Sequence, residues 1–75
     1  MDFDQELDTS GLTCPMPVMK TKKALKKLET GQVLHLITTD PATGDDIPGL
    51  VDQMGSSIEE ANEDGGKYHF YIKKG

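Results

Sequence analysis

Apolar residues recur along this chain with two different spacings. In "PMPVMKTKKALKKLET", residues 15–30, the positions Val18, Thr21, Ala24, Leu25 and Leu28 fall within an arc of about 120° on a helical wheel, and the lysines take the other side. That pattern predicts a helix which packs through the apolar stripe and is closed by Gly31. "QVLHLITT" follows, β-branched or apolar at nearly every position, as expected for a strand covered on both faces or nearly so. After a break at "DPATGDD", Ile47, Leu50, Val51 and Met54 stand at i, i+3, i+4 and i+7, which predicts a short second helix with Pro48 in its first turn. Ahead of these elements, Phe3 to Asp8 reads as an edge strand with Phe3, Gln5 and Leu7 on one face. At the other end, "SSIEEANE" and "KYHFYIKK" flank Asp64-Gly65-Gly66, a turn-forming triplet, and predict a hairpin. Tyr68, Phe70 and Ile72 would face the core, and Lys67, His69, Tyr71 and Lys73 would face away from it.

The resulting order, β-α-β-α-β-β, is that of an α+β fold. With a right-handed first crossover it packs as a two-layer α/β sandwich: a four-stranded mixed sheet with both helices on one face. Seventy-five residues are expected to form a single domain over 1–75. A chain of that size has no room for a deep enclosed active site.

Charge and composition narrow the function. Hydrophobic residues make up 35% of the chain, charged ones 28%, and no apolar run approaches the length of a membrane span. The opening "MDFDQELD" is acidic, the reverse of a secretory leader, so a cytoplasmic protein is expected. A net charge of -5 argues against direct nucleic-acid binding. The charge is unevenly spread: Lys20, Lys22, Lys23, Lys26 and Lys27 hold most of the positive charge, while the segment from Asp40 to Asp64 contains eight acids and no base. A small polar domain of this kind is most simply a monomer.

One cysteine is present, Cys14, so neither an intrachain disulfide nor a Cys-x-x-Cys pair can form. His35 and His69 lie in strand-like runs without ligand spacing, and neither a metal site nor a cofactor is expected. Pro15 follows the thiol directly, and with Pro17 it brackets Met16. Pro15 suits the first helical position with Cys14 as the N-cap, whereas Pro17 disfavours helix at Met16 and would start it two residues later. In either case the positive end of the helix dipole is expected to lower the thiol pKa modestly. Met16 and Met19 fall among the lysines and outside the apolar stripe. They either tuck against a neighbouring loop or form, with the lysines, a docking patch for partner proteins.

"LDTSGLTCPMPVMKTKKAL" resembles the signature of the TusA (SirA-like) family of small sulfur carrier proteins, through its Leu-Asp, the Gly-Leu ahead of the cysteine and the Cys-Pro-x-Pro motif. "TTDPATGDDIPGL" and the closing "GGKYHFYIKK" are similar to two further blocks of that family, so the resemblance spans nearly the whole chain. It implies that Cys14 accepts sulfane sulfur as a persulfide and passes it on, with Pro15 and Pro17 as the motif prolines. It also implies a cysteine desulfurase or a rhodanese-type sulfurtransferase as donor, and acceptors in tRNA thiolation, molybdenum cofactor synthesis or a DsrE-type sulfur-oxidation relay. Members often carry an acidic residue between the prolines, where this chain has Met16.

The chemistry needs only these residues. A thiolate attacks the outer sulfur of a partner's persulfide, and the sulfur later leaves to the next thiolate, at rates set by nucleophile and leaving-group pKa. A second nearby cysteine would intercept the persulfide. No Asp, Glu or His adjoins Cys14 in sequence to act as a base. The reading is therefore a stoichiometric sulfurtransferase-type carrier without independent turnover. A regulatory or interaction module that does not use the thiol is the alternative.

Overall fold

Each strand must find partners for its backbone N–H and C=O groups, and the two most apolar strands take the two central places where both edges are paired. A computed structural model describes residues 2–75 as β1 (Gln5–Thr9), α1 (Met16–Lys27), β2 (Val33–Thr38), α2 (Thr43–Gln53), β3 (Ser57–Asp64) and β4 (Lys67–Lys73). The sheet order is β1-β2-β4-β3. β1 runs parallel to β2, with Leu7 opposite Leu36, and β4 runs antiparallel to both β2 and β3. This is the expected α+β sandwich with a mixed sheet.

Both helices bury their apolar stripes against the same side of the sheet. Leu25 and Ala24 from α1 meet Ile47 and Val51 from α2 over Leu34, Leu36, Phe70 and Ile72 of the central strands. Val18, Leu28 and Tyr68 are only partly buried and close the rim of this core. Fully burying an aliphatic side chain of this size contributes about 1.5–3 kcal/mol. Buried threonines carry their hydroxyls into the same layer without loss, because each finds a partner. Thr21 Oγ1 donates to the Pro17 carbonyl at 2.7 Å, and Thr9 Oγ1 donates to the Ile37 carbonyl at 2.7 Å.

Several local expectations shift. α1 ends at Lys27 rather than running to Gly31; Gly31 instead sits at φ +92 in a turn closed by the Gln32 N–H on the Glu29 carbonyl. α2 starts at Thr43, earlier than expected, so Pro48 lies in the helix interior and not in its first turn. The early start follows from Asp40, whose carbonyl accepts from both the N–H and the hydroxyl of Thr43. The hairpin has a two-residue loop, and both Gly65 and Gly66 adopt positive φ, at +57 and +86, as a primed turn demands.

The second face of β2 is not covered by another layer. His35 is buried there by a side chain of its own sheet and one from the segment before β1: the Tyr71 ring stacks on it at 4.5 Å and the Phe3 ring lies at 4.9 Å. Its Nε2 stands 3.0 Å from His69 Nδ1, and its Nδ1 lies 3.1 Å from the Glu6 carboxylate. Phe3 therefore packs on the face opposite Leu7, against the expectation that they share one. The ladder begins only at Gln5, so strand alternation does not bind Phe3. Among the described residues no helix is long and apolar enough to cross a membrane.

Candidate functional site

β1 and β2 are parallel, so their carboxyl ends lie together, and the chain leaves both there. In open α/β sheets such carboxyl ends are where loops converge into sites. The loop after β1 carries Cys14, and the loop after β2 carries Asp40. One side-chain bond ties the strand ends together and two more tie the first loop to the second. Thr9 Oγ1 bonds the Ile37 carbonyl, the Gly11 N–H donates to Thr39 Oγ1 at 2.8 Å, and the Cys14 N–H donates to Asp40 Oδ2 at 2.7 Å. Gly11 holds a φ of +81, which a side chain would disfavour. The other oxygen of Asp40, Oδ1, accepts the Ala42 N–H at 3.1 Å, so one carboxylate fixes the backbone of Cys14 and the entry to α2 together.

The helix begins at Met16, between the two starts that the prolines left open. Pro15 is the N-cap and Pro17 lies in the first turn, buried. Its missing N–H is one that the helix would leave unpaired anyway. The Cys14–Pro15 peptide is cis. Cys14 thus stands one residue ahead of the N-cap, and its thiol is exposed.

Asp46, in the first turns of α2, comes back to the sulfur: Cys14 Sγ donates to Asp46 Oδ2 at 3.5 Å. This overturns the expected lowering of the thiol pKa. The hydrogen bond to Asp46 favours the protonated sulfur, as do desolvation and the negative charges of Asp46 and Asp40, and together they raise the thiol above its ordinary value. A helix dipole acts mainly within the first turn and is worth tenths of a kcal/mol at the surface, so two nearby carboxylates outweigh it. The sequence places Asp40 and Asp46 twenty-six and thirty-two residues from Cys14. No local spacing announces either contact. The one signal was the block "TTDPATGDDIPGL" itself, where an Asp-Pro turn precedes a pair of acids.

An open groove of about 410 Å³ runs between the start of α1 and α2 beside the thiol, lined by Cys14, Pro15, Val18, Asp45, Asp46, Gly49, Leu50 and Gln53. The lysines expected around the thiol line other surfaces. Lys22, Lys23 and Lys26 surround Met19 in a second groove on the outer side of α1, and Lys20 and Lys27 face β1 in a third. Met16 and Met19 are 42% and 58% exposed, so they do not tuck against a loop. Lysines and acids thus line different grooves, and the thiol belongs to the acidic one. Among the described residues no group of three or more His, Cys, Asp or Glu side chains is placed to hold a metal ion.

An exposed thiol ahead of a proline-marked helix, on a two-layer α+β sandwich, defines a small thiol protein that presents its sulfur at an open surface. Residues 5–74 match the family described as Sulfurtransferase TusA, and the chain belongs to that family. It is 52% identical over 73 residues to the sulfur carrier protein TusA of Allochromatium vinosum, an alignment covering 97% of this chain and 96% of the other. It is 39% identical over 75 residues to YrkI of Bacillus subtilis, with full coverage of both chains. The crystal structure of a SirA-like protein from Desulfitobacterium hafniense superposes with a TM-score of 0.85 at 28% identity, covering 96% of this chain and 99% of that one.

Proposed function

We propose that this protein is a sulfur carrier that bears sulfane sulfur as a persulfide on Cys14. The observation that carries the reading is the exposed lone thiol, clamped through its backbone N–H at the carboxyl ends of the two parallel strands, in a chain of the TusA family. In the loading step Cys14 sulfur attacks the outer sulfur of a donor persulfide, the donor's S–S bond breaks, and the departing thiolate takes up the proton that Cys14 gave up. Unloading is the same exchange with Cys14 as the leaving group. The open groove suits it, because the sulfur must enter a donor's cleft and then an acceptor's.

A cysteine desulfurase or a rhodanese-type protein is the donor in this reading, and a DsrE-type or other thiol protein is the acceptor, in the cytoplasm. Pro15 and Pro17 present the thiol by fixing the backbone that follows it. Met16, Met19 and Lys20, Lys22, Lys23, Lys26 and Lys27 form the docking side of α1. The test is direct: incubation with a sulfur donor should add one sulfur atom in intact-mass spectra, and the Cys14→Ser variant should add none. Equal labelling of that variant would sink the assignment and leave the interaction module as the surviving reading.

A further inference from the structure

The carboxylate beside the sulfur is unexpected for a nucleophile, because it opposes the thiolate that the exchange needs. Its placement is nevertheless well fixed. Asp46 precedes the fully buried Ile47 on α2, and Asp40 locks the Cys14 backbone from the other side. Among the described residues, Asp45 and Asp46 are the only charged side chains lining the groove, and none of the α1 lysines reaches it. Among the described residues the charges facing the sulfur are therefore negative: Asp46 and Asp45 from α2, and Asp40 from the loop before it.

We propose that the Asp46 carboxylate gates Cys14, holding the thiol proton while the protein is free, so that sulfur donors bringing positive charge to the groove react fastest. The inference rests on the reading of Cys14 as the sulfur-bearing atom. A carboxylate is far too weak a base to take the proton from the sulfur, since their ordinary pKa values differ by about 4–5, so the proton stays on Cys14. Its effect is instead to accept the S–H hydrogen bond and repel the developing thiolate. A cation placed against Asp46 cancels that repulsion at the moment of attack. Atoms and charges balance without an oxidant. Cys14 loses its proton as the new S–S bond forms, the donor's S–S bond breaks, and the leaving sulfur takes the electron pair and a proton. In the free carrier the same contact keeps the sulfur quiet toward adventitious oxidants, which attack thiolates.

The test uses three symmetrical disulfides on the full chain at low salt: cystamine, which is cationic, bis(2-hydroxyethyl) disulfide, which is neutral, and dithiodiglycolate, which is anionic. Mixed-disulfide formation on Cys14 is followed by intact mass. A unit charge about 7 Å from a carboxylate in a water-like dielectric changes the rate about threefold, so, beyond the order set by leaving-group pKa, the wild type should favour cystamine over the neutral reagent by that factor more than Asp46→Asn does, and disfavour the anion by the same factor. Asp46→Asn should speed the neutral reagent several-fold at neutral pH, move the midpoint of its rate against pH downward, and narrow the charge order. Glu63→Gln, which removes the same charge from β3, should change none of these. A wild type indifferent to reagent charge, an Asp46→Asn protein with midpoint and order unchanged, or an equal effect from Glu63→Gln would each overturn the gate. The carrier reading fails separately, if a sulfur donor leaves the mass of the wild type unchanged.

Discussion

Asp40 joins the thiol loop to α2 with one side chain, and replacing it by alanine measures that joint. The substitution removes two hydrogen bonds, from the Cys14 N–H at 2.7 Å and the Ala42 N–H at 3.1 Å, while the Asp40 carbonyl keeps its bonds to Thr43. Bonds to a charged acceptor contribute about 1.5–3 kcal/mol each when water is excluded. Asp40 is half-buried, so water replaces part of each bond and about 1 kcal/mol apiece is the better figure, about 2 kcal/mol in sum. In a domain of this size that lowers Tm by about 10 °C. Asp40→Asn keeps one acceptor oxygen and turns the other into a donor, so it should lose about half as much. Urea unfolding followed by far-UV circular dichroism gives both values, provided that the slope with denaturant stays constant. Amide exchange at Cys14 should accelerate in both variants. If the alanine variant is as stable as wild type and its Cys14 amide as protected, the loop is held by something other than this carboxylate.

Two further outcomes follow from the geometry. Pro48→Ala restores an N–H facing the Gly44 carbonyl inside α2 and should stabilise the protein by about 1–3 kcal/mol; a loss of stability would mean that Pro48 contributes packing that outweighs the missing bond. The raised thiol of Cys14 means that the folded protein favours the protonated form, so this contribution is complete below the ordinary thiol value and is lost as pH rises through the raised one. The urea midpoint of wild type minus that of Cys14→Ser should therefore fall from about pH 8 upward, and a difference that rises with pH would reverse the assigned sign.

Much of the architecture could be read from periodicity because it depends on neighbours along the chain. The α1 stripe, the core side of β4 and the glycine hairpin each rest on spacings of two to four residues, and each stands as expected. The exposed thiol was legible for a related reason, since it falls outside the stripe, whereas the exposure of Met16 and Met19, which the pattern left open, is decided by the structure. The electrostatics of the site were not. The helix dipole is local and visible in sequence, but Asp46 reaches the sulfur only because two parallel strands end side by side, and that contact reverses the direction of the thiol's shift. The interior placement of Pro48 was missed because the start of α2 is set by the Asp40 carbonyl, a backbone group that carries no compositional mark. The apolar run of β2 predicts cover on both faces, and on the second face that cover comes only from side chains such as Phe3 and Tyr71 around His35, brought in from distant segments.

The place of β4 between β2 and β3 has a bearing on how the protein is made. A ribosome releases β1, α1, β2, α2 and β3 before it, yet among these strands only β1 and β2 can pair. β3 has no edge to join until β4 arrives, and Phe70 and Ile72 supply the middle of the core. The nascent chain therefore waits with a two-stranded parallel ribbon, which is too small to stand alone in water. Assembly is then nearly all-or-none. A stalled or clipped chain lacking β4 retains no smaller stable version of the fold and exposes the apolar side of β2 to chaperones and proteases.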